Sequence, residues 1–126
     1  MDFMNLTEFT DQQKQFVVDL LVLGMYADGN LDLIEDEKAR RVLDSIQLKS
    51  DSDRQYFLDA SFARARKHGI SVKTSRSYVA EIARVFPTPA MRRQVYAVLE
   101  DSLASDRKMA EKERELLLIV SEEFKL

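Results

Sequence analysis

The stretch Leu23-Gly24-Met25-Tyr26-Ala27-Asp28-Gly29-Asn30-Leu31-Asp32-Leu33-Ile34-Glu35 decides how the chain is read. It reads as the end of an apolar helix, a tight acidic loop and the start of a second helix. Gly29 suits the left-handed residue past a helix end. Asp32 with Glu35 three positions on forms a capping box for the next helix. A looser copy lies near the C-terminus, Leu103-Ala104-Ser105-Asp106-Arg107-Lys108-Met109-Ala110-Glu111-Lys112-Glu113. In both copies an aspartate closes an apolar run and a glutamate follows seven positions later. Aligning Asp28 with Asp106 pairs Gly24 with Ser102 and Glu35 with Glu113, a weak internal repeat.

Between and around these hairpins the apolar spacing is helical throughout. Thr10 with Gln13 opens a first helix whose Val17, Leu20, Leu21 and Gly24 share a face. Val18, Val22, Leu23 and Met25 make it apolar on nearly all sides, which marks a central helix. A second helix runs from Leu33 to Ile46 with Ala39, Val42, Leu43 and Ile46 inward. After a loop over Lys49–Asp53, a third runs from about Ser52 to His68, where Gly69 ends it. The fourth spans Val72–Phe86. Pro87-Thr88-Pro89 stops it and starts a fifth, with Thr88 as N-cap and Pro89 in the first turn, running to about Ala104. The sixth, Glu111–Phe124, presents Leu116, Leu117, Val120 and Phe124. No stretch alternates with period two for long enough to form a strand. The expectation is an all-α, single-domain bundle of about six helices spanning residues 1–126, with two pseudo-equivalent helix-loop-helix pairs and residues 1–9 as a docked arm.

Composition narrows the classes. The chain has 126 residues, 45% of them hydrophobic, which allows a substantial core. It has no cysteine, so disulfides and thiolate metal sites are excluded. The longest apolar run, from Phe16 to Ala27, is broken by Asp19 and falls short of the roughly 20 residues a membrane span needs. Met1–Glu8 lacks the basic region of a signal peptide, so a cytoplasmic location is expected. The net charge of −3 is unevenly laid out: residues 1–63 balance to −7, residues 64–93 to +7 and residues 94–126 to −3.

Two acidic hairpin tips brought side by side would offer Asp28, Glu35, Asp106 and Glu113 to a hard divalent cation, which takes carboxylate and carbonyl oxygens. Neither loop has EF-hand spacing. The competing reading is structural, because carboxylates at helix N-termini cap free amides without any metal. Arg64, Arg66, Lys67, Lys73 and Arg76, in the basic middle, form a candidate surface for an anionic partner, against the plain reading of a solvated face. Tyr56, Phe57 and Phe62 are read as core. His68 is the sole histidine and sits among cations at a helix end, as a partner of the helix dipole. Nothing marks a catalytic base, a nucleophile or a phosphate loop, so an enzyme is not expected.

Ala27-Asp28-Gly29-x-Leu31-x-x-x-Glu35 after an apolar helix, repeated as Asp106-x6-Glu113 before Leu116-Leu117, resembles the tellurite-resistance TerB family. The resemblance implies an all-helical cytoplasmic bacterial domain with a role in stress or tellurite response. It implies a divalent-cation site (calcium, magnesium or zinc) at Asp28, Glu35, Asp106 and Glu113. It also implies a scaffold or binding role with a protein partner, in a family that includes membrane-linked proteins; self-association is the further possibility, and no nucleic-acid motif is present. The second copy departs from the family pattern: Arg107 stands where a glycine follows the aspartate, and Lys108 follows it. Both cations compete with a metal for Asp106. The alternative is a metal-free interaction scaffold built on the divided surface charge.

Overall fold

The computed structural model describes residues 9–27, 37–46, 50–69, 71–103 and 111–126. These residues form six helices and, among them, no strand: α1 (Asp11–Ala27), α2 (Glu37–Ser45), α3 (Asp51–His68), α4 (Val72–Ala83), α5 (Pro89–Leu103) and α6 (Glu111–Glu123). The fold is an all-α bundle, as the apolar spacing predicts.

α1 is the axis of the bundle and packs against each of the other five helices. Val17, Val18, Leu20, Leu21, Val22 and Leu23 are all buried, so the helix has no water-facing side along this length. Each such side chain contributes about 1.5–3 kcal/mol on burial. The start of α1 is fixed by the expected capping box: Thr10 Oγ1 accepts from the Gln13 amide at 3.1 Å, and Gln13 Oε1 accepts from the Thr10 amide at 3.0 Å. The Gln13 side-chain amide also donates to the Val85 carbonyl at 2.7 Å, tying this end to the chain beyond α4.

The two predicted helix-loop-helix pairs pack in a crossed arrangement. α1 lies on α2 and α5 on α6, while α1 also packs on α6 and α2 on α5. Arg41 on α2 reaches Asp101 on α5. α1 and α6 run antiparallel. At one end a methyl placed on Gly24 would sit 2.7 Å from Leu116 Cδ2, so the missing side chain allows a close crossing. At the other end the rings of Phe9, Phe86 and Phe124 meet in series, at 5.4 and 6.1 Å. Ser102, the repeat partner of Gly24, is also fully buried.

α3 runs parallel to α1 and α4 returns antiparallel to it. Gln15 meets Phe57 and Ser61, Asp19 meets Ser61 and Arg64, and Leu23 approaches Gly69. Tyr78 and then Val85 on the return path meet Asp19 and Gln13.

Several boundaries differ from the sequence reading. α3 begins at Asp51 because Ser50 is its N-cap and accepts from the Asp53 amide. α4 stops at Ala83 rather than Phe86. The Val85 and Phe86 amides bond three residues back, to Ile82 and Ala83, which tightens the chain ahead of Pro87. Arg92 then caps this end, with Nε donating to the Phe86 carbonyl and Nη2 to that of Ala83. Thr88 accepts from the Met91 amide, as an N-cap should. Gly69 does end α3, but at φ −87° and not in the left-handed region.

Candidate functional site

Of the four carboxylates expected at the hairpin tips, Asp28, Glu35 and Asp106 lie outside the described residues, as do Arg107, Lys108 and the capping box of Asp32 with Glu35. Glu113 is described. It occupies the first turn of α6 and is 2% exposed, among the most deeply buried side chains in the protein. A carboxylate at that depth needs polar or charged company to offset lost hydration, and Glu113 does have a partner. Among the described residues no group of three or more His, Asp or Glu side chains could hold a metal ion. Ser102 Oγ, buried in the last turn of α5, has no hydrogen-bond partner among the described residues.

The most elaborate polar site lies elsewhere, on α1. Asp19, which breaks the apolar run in the sequence, is 1% exposed and points between α3 and α4. Arg64 binds it with a fork, Nε to Oδ2 at 2.6 Å and Nη2 to Oδ1 at 2.9 Å. Ser61 donates to Oδ1 at 2.5 Å and Tyr78 to Oδ2 at 2.5 Å. The Gln15 amide adds a longer contact at 3.3 Å. The carboxylate's acceptor capacity is therefore filled from its own helix, α3 and α4. The Asp19 hydrogen bonds raise the Arg64 guanidinium further above its usual range, against the opposing effect of burial. Burial, reinforced by the bond to Asp19, pushes the Tyr78 phenol well above its usual value, so it stays a neutral donor. His68 lies flat on Tyr78, ring centres 4.0 Å apart and planes within 6°. It is half-buried in this stack, not simply a solvated dipole partner.

The five basic residues proposed for an anionic partner divide sharply. Arg64 is held by Asp19. Arg76 bridges Glu122 and Glu123 on α6, each at 2.9 Å, and these bonds raise its guanidinium above the usual range. Arg66, Lys67 and Lys73 are exposed and make no ion pair among the described residues. Arg66 lies over the Phe62 ring at 5.1 Å. Tyr56, expected in the core, is 70% exposed, while Phe57 and Phe62 are half-buried.

Comparison with protein-family models, curated proteins and solved structures finds no match.

Proposed function

We propose that the chain is a non-catalytic, TerB-like binding module of a bacterial, cytoplasmic stress response of the tellurite-resistance type. Its ligand on this reading is a divalent cation held between the two acidic hairpin tips, by Asp28, Glu35, Asp106 and Glu113. The observation that carries the reading is the crossing of Gly24 with Leu116. α1 and α6 are antiparallel, so three residues further toward the tips Ala27 comes level with Glu113. The end of the first hairpin's leading helix thus lies beside the start of the second hairpin's trailing helix. The matching contact of α2 with α5 supports the same convergence from the other side. Carboxylates gathered there repel one another, and an ion of two positive charges offsets the repulsion while accepting their oxygens. Glu113 is buried in the first turn of α6, not left in water as an exposed cap.

The test follows melting temperature while calcium, magnesium or zinc is titrated into the wild type, Glu113→Gln and Asp28→Asn. A cation that binds only the folded chain raises the wild-type midpoint by about 10 °C at a hundred times its Kd. Both variants lose most of that rise. A flat response to all three cations would leave a metal-free interaction scaffold, the reading that the divided charge supports.

A further inference from the structure

Residues 60–80 contain no aspartate or glutamate, although the whole chain carries 22. Five arginines and lysines fall in that stretch. Two of them, Arg64 and Arg76, are taken up by Asp19 and by Glu122 with Glu123. The other three, Arg66, Lys67 and Lys73, surround the corner where α3 turns into α4. Val72 stands among them with an apolar side chain 48% exposed.

Local bonds join the two helix ends at this corner. Ser71 and Thr74 form a reciprocal capping box at the start of α4. Thr74 Oγ1 also bonds the His68 carbonyl at 2.7 Å, joining the end of α3 to the start of α4. His68 is braced on Tyr78, which is braced on Asp19. Three cations with no ion pair among the described residues, a solvent-facing aliphatic side chain and the positive end of α4 are thus presented together.

We propose that this corner docks the protein on an anionic phospholipid surface. Lysine stems allow their ammonium groups to stay at the headgroups while a small apolar side chain between them enters the interface. Each cation near such a surface strengthens binding about fivefold, and the effect fades with salt. The proposal does not rest on the cation site and stands or falls separately from it.

The experiment sediments the full chain with vesicles of phosphatidylglycerol and phosphatidylcholine in equal parts, and with pure phosphatidylcholine, at about 50 and about 500 mM salt. The expected result is binding to the anionic vesicles at low salt, none to the neutral ones, and loss at high salt. The double variant Lys67→Gln/Lys73→Gln binds about 25-fold more weakly with an unchanged thermal melt, because both side chains are exposed. Arg84→Gln, exposed at the far end of α4, stays within about twofold of the wild type, since charges more than a Debye length from the docking edge are screened. Absence of binding to anionic vesicles overturns the proposal, as does equal weakening by the double variant and Arg84→Gln. Low-salt capture of a DNA duplex without capture of anionic vesicles also overturns it, and would assign the corner to nucleic acid.

Discussion

The Tyr78 hydroxyl donates to Asp19 Oδ2 at 2.5 Å, across 59 residues of chain. This contact fastens α4 to the axis of the bundle, and it completes a carboxylate that α3 already holds through Ser61 and Arg64. A buried charge so well supplied is a costly thing to disturb and contributes little as long as it is left intact.

Arg64→Met removes the fork and leaves Asp19 buried with only neutral donors. The loss is expected at about 2–3 kcal/mol, below the full cost of orphaning a buried charge, because Ser61, Tyr78 and Gln15 remain and Arg64 is itself 35% exposed. Replacing both partners, as Asp19→Leu/Arg64→Met, costs less than the sum of the single changes. Urea melts of the four proteins form the double-mutant cycle that measures this coupling.

Tyr78→Phe costs about 1.5–3 kcal/mol near neutral pH, since a hydrogen bond to a charged group is lost. Its pH dependence has a defined sign. The phenol's folded-state value is raised, so the native state keeps a proton that the unfolded chain releases above about pH 10. The stability tied to this proton is complete below about pH 10 and is lost as pH climbs toward the folded value. The gap between wild type and Tyr78→Phe therefore narrows from about pH 10 to about pH 12, by up to about 1.4 kcal/mol per unit. A constant gap across that range contradicts the assignment.

Gly24 allows α1 to approach α6 because nothing projects toward Leu116. Gly24→Ala sets a gain of about 1 kcal/mol in helix propensity against a contact that the end of the Leu116 side chain must relieve. The net change is expected within about 1 kcal/mol of zero. Gly24→Ile cannot be relieved that way and destabilises by about 1–3 kcal/mol. Leu116→Ala in that background restores part of the loss, measured by thermal melts of the single and double variants.

Helical periodicity made the architecture legible. Val17, Leu20 and Leu21 on α1, Val42 and Leu43 on α2, and Leu116, Val120 and Phe124 on α6 are read as inward from spacing alone and are buried. The caps at Thr10 and Thr88 were equally readable, because their chemistry is local. The Asp19 cluster was not. Its partners stand 42, 45 and 59 positions away, and a single acid in an apolar run reads only as an interruption until folding supplies its donors. Its one sequence signal was that interruption, in a helix apolar on every side. Tyr56 shows the opposite failure, since an aromatic cluster reads as core while the turn of α3 leaves this ring in water. The division of the basic residues was also hidden, because Arg64 and Arg66 look alike until one of them meets a buried acid.

The central claim, that the two acidic hairpin tips share a cation, is tested most directly by calorimetric titration of calcium, magnesium and zinc into the metal-stripped wild type and Glu113→Gln. The account predicts saturable binding of at least one of these ions by the wild type and affinity at least tenfold weaker in the variant, the loss of one charged oxygen ligand. Absence of saturable binding of all three to the folded wild type, or equal affinity in Glu113→Gln, would contradict it.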